Sequence, residues 1–257
     1  MDKIFERTKG LTEIPMRYCP GCGHGVVHRL VGECIIELGM LDKSLAIAPV
    51  GCSVFADEYF NCDAIQGAHG RGPAIATGLK RVHPECLVIS YQGDGDLASI
   101  GIAETIHAAN RSENITIIFI NNAIYGMTGG QMAPTTLLGM KSTTSPAGRS
   151  VEANGYPFKM CELLATLDGV AYLERCAVNT PANVLKAKKA IKKAFTLQIE
   201  KRGFTMVEIV SQCPTDWEMT PLQSIEFVKN SMIPYFPLGV YKSPEKTIAP
   251  KPSLVKV

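Results

Sequence analysis

Along the chain, short apolar runs alternate with stretches in which apolar positions recur every three or four residues, and this alternation sets the expected fold. Val26, Val27, Leu30, Val31, Cys34, Ile35 and Leu38 keep helical spacing and Gly39 supplies a stop, which predicts an amphipathic helix over 26–38. β-Rich runs follow at 45–50, 87–91, 115–120 and 204–210, each bounded by Gly, Pro, Asn or charged clusters. Between them lie helical patterns at 72–82 and 97–110, and a third at 180–200 that Thr180 opens as N-cap with Pro181 in its first turn. Strands that are apolar on both faces and alternate with helices predict an α/β fold, a mostly parallel sheet with helices on both faces.

Two stretches break the alternation. Residues 128–157 are rich in Gly, Thr, Ser and Pro, too long for a bare connection, and read as a functional loop or lid. Beyond 214 the pattern weakens, and prolines spread from Pro221 to Pro252 suggest an extended arm. The expected organisation is therefore a domain over 1–213 and a C-terminal arm over 214–257 that lies on a partner chain.

Composition narrows the classes. With 257 residues, 46% hydrophobic and 19% charged, the chain can bury a large core. A formal net charge of +2 is too small to make nucleic acid or an anionic membrane the main partner. No uninterrupted apolar run is long enough to span a bilayer, and the start, Met1-Asp2-Lys3-Ile4-Phe5, lacks the apolar core of a secretory signal, so a cytoplasmic location is expected. Nine cysteines in such a chain point to metal, catalysis or core packing rather than disulfides.

The candidate chemistry sits at strand ends. The strand at 87–91 runs into Gln92-Gly93-Asp94-Gly95-Asp96, and that at 115–120 into Asn121-Asn122-Ala123-Ile124-Tyr125-Gly126. Open α/β sheets bind ligands at these carboxyl ends. Magnesium takes hard oxygen donors and shares its shell with phosphates, which suits Asp94 and Asn122. Gly93 and Gly95 let backbone approach a diphosphate, and the helix expected to begin near Leu97 favours an anion. An isolated Gly-Asp-Gly is more often a plain turn; the Asn-Asn at the next strand end is what raises it. Ala98 stands where a dinucleotide-binding loop needs its third glycine, and no Gly-Lys-Ser/Thr occurs.

A second site is marked by Cys19-Pro20-Gly21-Cys22-Gly23, a C-x-x-C in a glycine-rich loop with no strand before it, unlike a thioredoxin-type redox pair. Cys52 and Cys213 follow strands on the side where the cofactor turns also sit. Cys34 and Cys86 read as core residues, while Cys62, Cys161 and Cys176 receive no assignment. Spacing alone leaves zinc and an iron–sulfur cluster both open. His69 and Arg71 precede a helix start and suit a phosphate or substrate carboxylate, though a capping histidine and a surface arginine fit as well. Lys186, Lys188, Lys189, Lys192 and Lys193 form a basic helix face, by default solvated, that would suit an acidic protein partner.

Gly-Asp-Gly followed by Asn-Asn, with 28 positions from Asp94 to Asn122, resembles the signature of thiamine-diphosphate enzymes. More specifically, the ordered blocks Cys19-Pro20-Gly21-Cys22-Gly23, Gly51-Cys52-Ser53, His69-Gly70-Arg71, Ala76-Thr77-Gly78-Leu79-Lys80, Gly93-Asp94-Gly95-Asp96 and the run from Asn121 to Thr136 resemble the β subunit of 2-oxoacid:ferredoxin oxidoreductases over about 15–215. That resemblance implies Mg²⁺ ligation by the side chains of Asp94 and Asn122 and the carbonyl of Ile124. Gly93, Gly95, Asp96, Tyr125, Gly126, Met127, Thr128 and His69 would lie around the coenzyme. It implies one [4Fe–4S] cluster on Cys19, Cys22, Cys52 and Cys213, which gives electrons leaving the thiamine centre a route that a structural zinc would not. It implies oxidative decarboxylation of a 2-oxoacid with coenzyme A to an acyl-CoA, CO₂ and reduced ferredoxin. The enzyme would be complete only with α, and in larger assemblies γ and δ, subunits, and the glutamate that activates the coenzyme is expected on a partner chain. Val54 and Phe55, then Asp57 and Glu58, follow Gly-Cys-Ser where a dicarboxylate-selective enzyme would carry a cation, so 2-oxoisovalerate is favoured and 2-oxoglutarate comes next. The competing readings are a non-oxidative thiamine decarboxylase or lyase subunit and a non-catalytic electron-transfer subunit.

Overall fold

The computed structural model describes residues 6–244. Its seven strands, β1 (Ser44–Pro49), β2 (Asp63–Gly67), β3 (Leu87–Gly93), β4 (Thr116–Asn121), β5 (Val170–Ala177), β6 (Phe204–Val210) and β7 (Gly239–Lys242), form one sheet in the order β2-β1-β3-β4-β6-β5-β7. All neighbours are parallel except β7, which runs antiparallel along β5. The expected α/β sheet with helices on both faces is therefore found.

The strand period of two divides the core. Leu87, Ile89 and Tyr91 of β3 and Ile118 and Ile120 of β4 pack in one layer with the helices His24–Glu37 and Pro181–Ile199. Val88 of β3 and Ile117 and Phe119 of β4 face the other layer, with residues of the helices Gly72–Val82, Ile102–Asn110 and Met160–Ala165. Both faces of the central strands are thus removed from water, which is why they read as continuous apolar runs. Lys188 and Lys192 of the basic helix face pair with Glu33 and Glu37 at 2.6–2.8 Å, so part of that face ties the two helices of the first layer together.

Three departures from expectation have local causes. The pattern at 97–110 is two pieces, a wide turn Asp96–Ile100 and the helix Ile102–Asn110, parted at Gly101. A Cβ at Gly101 would lie 2.6 Å from the Gly70 carbonyl oxygen, so the His69–Gly70 loop is seated against that break. The strand β5 escaped notice because it carries Glu174 and Arg175, yet Arg175 is 1% exposed. Its guanidinium is held by Glu162 at 2.6 Å and lies 3.0 Å from the fully buried Glu208 of β6. Finally, residues 214–244 are not an extended arm. Pro221 and Pro234 stand in the first turns of short helices, where a missing N–H costs nothing. Trp217, Val228, Met232 and Phe236 pack against Ala177, Val210 and Ile124 at the carboxyl end of this chain's own sheet. The rest of the expected arm, 245–257, lies outside the described residues. Among the described residues no helix is long and apolar enough to cross a membrane.

Removing Arg175 would strand Glu208 in the core. Arg175→Ala is expected to lower the stability by about 3–5 kcal/mol, whereas Lys186→Ala on the exposed helix face should change it by less than about 0.5 kcal/mol; urea unfolding midpoints of the two variants check this.

Candidate functional site

The chain leaves β1 for β2 on one side and β3 for β4 on the other, so the sheet has a switch point between the carboxyl ends of β1 and β3. Crevices at such points are where open α/β sheets take ligands. A cleft opens there, and His69, Gly93, Asp94, Gly95, Asp96, Asn122, Ile124, Tyr125, Gly126, Met127 and Thr128 all line it, together with Cys52, Ser53 and His24.

Asp94 is the centre of the cleft floor. It is 2% exposed. Its carboxylate accepts N–H bonds from Gly95 (2.9 Å) and Ile124 (3.2 Å) and the Thr135 hydroxyl (2.7 Å). Burial nevertheless raises its pKa from 3.8 to about 7, because these neutral donors only partly replace water. Asn122 Oδ1 accepts the same Ile124 N–H at 3.3 Å, and the Asn122 carbonyl receives Trp217 Nε1 at 3.0 Å. Between them Ala123 takes φ +58°, a conformation costly for a residue with a Cβ. Asn121 Oδ1 and the Thr136 hydroxyl hold its backbone in place at 3.3 and 2.5 Å. The result is a carboxylate and an amide oxygen, both hard donors, converging on one N–H.

The fit of a hard cation and a diphosphate rests on three further observations. Among the described residues only neutral groups donate to Asp94, so an ion would relieve its burial. A Cβ added at Gly93 would meet only Ser53 Oγ at 3.8 Å, leaving room for a ligand against the backbone. That Ser53 Oγ is buried in the cleft wall without a hydrogen-bond partner.

Two of the predicted neighbours of the coenzyme also serve the walls of the cleft. The Asp96 carboxylate is occupied by His69 Nδ1 (2.5 Å), the Gly70 N–H (2.6 Å) and Gln92 Nε2 (2.5 Å), which fastens the His69 loop to the turn. Gly95 is required by Tyr125, whose ring would be 2.1 Å from a Cβ there and whose hydroxyl donates to the Gly95 carbonyl. Arg71 is ion-paired with Glu104 on the helix Ile102–Asn110.

The long loop behind Asp94 is not loose. Arg149, 5% exposed, donates to six carbonyl oxygens, those of Ala133, Pro134, Thr136, Asn154, Gly155 and Tyr156, at 2.8–3.2 Å. Only the planar, five-donor guanidinium can satisfy such a ring. It thereby sets the loop carrying Thr135.

The four predicted cysteines converge beside the same cleft. Cys22 N–H closes a turn on the Cys19 carbonyl at 3.0 Å, and Gly23 N–H reaches the Gln212 carbonyl at 3.4 Å, joining this loop to the one that bears Cys213. The position of a Cβ on Gly126 lies 3.4 Å from Cys52 Sγ and 3.5 Å from Cys213 Sγ. Burial, reinforced by the neighbouring thiols and Asp216, pushes Cys22 up to about 11 and Cys52 to about 12, and Cys213 higher still. Without a cation these thiols stay protonated; metal would draw the protons off. Among the described residues the trio of ligand atoms gathered within 4.8 Å is that of His83, Glu85 and Cys86, so no three of the four sulfurs approach so closely.

The residues missed in the sequence were Thr135, Arg149, Asp216 and His24 with its tyrosines. Asp216 accepts from Cys213 Sγ at 3.2 Å. His24 is 2% exposed, its ring stacked on Tyr18 at 4.8 Å and bonded to the Tyr91 hydroxyl at 2.8 Å, and burial lowers its pKa to about 4. Its position directly after Cys19-Pro20-Gly21-Cys22-Gly23 was the available signal.

Comparisons agree with this geometry. Residues 49–209 match the family model for the thiamine pyrophosphate enzyme C-terminal TPP-binding domain. The ketoisovalerate oxidoreductase subunit VorA of Methanothermobacter marburgensis is 47% identical over 94% of this chain and 51% of its own length. The 2-oxoglutarate synthase subunit KorB of Methanocaldococcus jannaschii is 39% identical over 86% of this chain and 79% of its own. The chain thus spans about half the length of the ketoisovalerate relatives it matches. Among solved structures, a 2-oxoglutarate:ferredoxin oxidoreductase from Magnetococcus marinus, with 2-oxoglutarate, coenzyme A and succinyl-CoA bound, superposes with TM-score 0.75 at 27% identity, covering 97% of this chain and 87% of that one.

A carboxyl held neutral by burial makes a pH prediction. With its folded pKa above the unfolded value, metal-free Asp94 favours the fold below about pH 4, and this contribution is lost as pH rises through about 7. Metal-free Asp94→Asn should therefore exceed wild type in stability at pH 8 by about 1–4 kcal/mol, yet gain nothing from added Mg²⁺ and thiamine diphosphate; paired melting curves at pH 5 and pH 8 test both halves. Arg149→Lys, which cannot span the ring of carbonyls, should weaken coenzyme retention at least tenfold through Thr135, measured by dialysis against thiamine diphosphate.

Proposed function

The chain belongs to the 2-oxoacid:ferredoxin oxidoreductase family, among its thiamine pyrophosphate-binding subunits, and from that premise we propose that it forms the cofactor-bearing part of an enzyme that converts a 2-oxoacid and coenzyme A to an acyl-CoA, CO₂ and reduced ferredoxin. The observation that carries this reading is the meeting of two donor sets, oxygens at Asp94 and Asn122 and sulfurs around Gly126, at one sheet edge.

In this reading the Asp94 and Asn122 side chains and the Ile124 carbonyl hold Mg²⁺, with the diphosphate over Gly93. When bound, thiamine diphosphate supplies the electron sink for loss of CO₂, and a [4Fe–4S] cluster on Cys19, Cys22, Cys52 and Cys213 supplies one-electron transfer. This chain's part is positional. Asp94 neutralises the metal without a competing cation, Tyr125 fixes the Gly95 turn, and Gly126 lets the two donor sets stand within reach of one another. The glutamate that activates the coenzyme belongs to a partner chain. Nine free cysteines suit the reducing cytoplasm, where we place the enzyme.

For the substrate we infer 2-oxoisovalerate ahead of 2-oxoglutarate. The ketoisovalerate relatives share more identity with this chain than the 2-oxoglutarate ones. After Gly51-Cys52-Ser53 come the apolar Val54 and Phe55, and Arg17, 5.4 Å from the Phe55 ring, is already ion-paired with Glu58. A second substrate carboxylate would have to compete with Glu58 for that charge.

The test is affinity purification of the native complex with iron, sulfide and thiamine assayed together. Near-stoichiometric thiamine diphosphate, four irons per copy of this chain if no partner adds its own, and faster turnover of 2-oxoisovalerate than of 2-oxoglutarate are expected. Cys213→Ser should lose at least half the iron and the visible absorbance while retaining thiamine diphosphate. A colourless zinc protein, or a preference for 2-oxoglutarate, would overturn the corresponding part.

A further inference from the structure

Besides Ser53, the cleft contains a buried polar side chain that the proposed cofactor ligation leaves unused. His24 opens the helix His24–Glu37, lines the cleft beside Cys52, Gly93 and Asp94, and is 2% exposed. Its ring cannot turn freely. Tyr18 stacks on it with centroids 4.8 Å apart and planes 12° from parallel, and Nδ1 lies 2.8 Å from the Tyr91 hydroxyl.

That hydroxyl decides which nitrogen carries the proton. Tyr91 is fully buried, and among the described residues its O–H has no acceptor other than His24 Nδ1. A buried hydroxyl keeps its hydrogen bond, so Tyr91 donates, Nδ1 accepts, and the neutral ring bears its hydrogen on Nε2. Nε2 has no hydrogen-bond partner among the described residues and is not sealed from solvent, and His24 lines the cleft.

We propose that His24 is a substrate-contacting residue whose Nε2–H, fixed by Tyr91 and Tyr18, hydrogen-bonds an oxygen of the bound 2-oxoacid. This rests on the reading of the cleft as a thiamine-diphosphate site and adds the polar contact by which this chain holds substrate. A neutral donor suits the place: it recognises a carboxylate or keto oxygen without setting a second cation against the metal at Asp94. Fixing its direction beforehand removes the ordering cost at binding.

The experiment uses the purified, cofactor-loaded complex and three variants, His24→Phe, His24→Gln and Tyr91→Phe. Thiamine diphosphate and iron are assayed first; their absence from the wild-type complex would sink the underlying reading and leave this one without a site. In variants with wild-type cofactor content, His24→Phe should lower kcat/KM for the 2-oxoacid at least thirtyfold and weaken calorimetric binding of oxamate, an unreactive 2-oxoacid analogue, at least tenfold. His24→Gln, which keeps an N–H donor, should recover part of both. Tyr91→Phe, which leaves the ring but frees its tautomer, should cost three- to tenfold. Should His24→Phe lose its cofactors, the Gln and Tyr91 variants carry the test. Unchanged kcat/KM and oxamate affinity in loaded His24→Gln and Tyr91→Phe, with loaded His24→Phe also unchanged where it can be made, would overturn the proposal.

Discussion

A carboxylate sunk in the protein without a cation beside it is the constraint around which the carboxyl edge of this sheet is organised. Asp94 is satisfied from three directions, by its own turn through Gly95, by the turn after β4 through Ile124, and by the long loop through Thr135. None of these donors is charged, so the group remains short of what ionisation in a dry site demands. Much of the surrounding structure follows from keeping those donors in place. Arg149 gathers six carbonyls to hold the Thr135 loop, and Asn121 and Thr136 sustain the left-handed Ala123 so that Ile124 N–H faces Asp94 and Asn122 together. A fold that spends this many contacts on an unneutralised acid is shaped for a ligand that neutralises it.

The architecture was legible where burial and backbone chemistry agree. The strands β3, β4 and β6 are apolar on both faces because both faces are covered, and Thr180 with Pro181 marks a helix start that the structure keeps to the residue. It was illegible where long-range pairing inverts local polarity. Arg175 and Glu174 read as surface residues, and only the presence of Glu208 on the adjacent strand makes β5 an interior one. The edge strand β2, mostly exposed, offers no alternation at all. Prolines after 214 suggested extension because nothing local says whether a proline begins a helix or stiffens a coil.

The site divides in the same way. The turns at strand ends could be placed from the sequence, since a parallel sheet puts every such turn on one edge; Cys52 and Cys213 stood out as loop residues at that edge, Cys19 and Cys22 as a C-x-x-C, and the family resemblance is what joined the four. What each side chain does there was less accessible. Gly95 was expected to admit a phosphate, and the structure gives it a different necessity in the Tyr125 ring. Asp96 was expected near the coenzyme; it lines the cleft and also anchors His69 and Gly70, a role that the spacing did not reveal. Thr135 reaches Asp94 across 41 residues of chain, which no spacing rule covers, whereas Asp216 stands three residues after the Cys213 that it bonds and was open to a local reading.

The short turn from Asn122 to Gly126 is where the two halves of the site become one object. Its first residue and Ile124 belong to the Asp94 group, while Gly126 lies against Cys52 and Cys213, so four peptide bonds separate Asn122 from the glycine that packs on the sulfurs. Trp217 ties the same turn down by bonding the Asn122 carbonyl from the loop that follows Cys213. A Cβ at Gly126 would stand at contact distance from both sulfurs, 3.4 and 3.5 Å, so a methyl group would just fit and only a larger side chain would have to displace the turn or the thiols. The turn therefore couples the two donor sets through one short piece of backbone, and the distance between a metal-bound coenzyme and a cluster would depend on how that piece is packed.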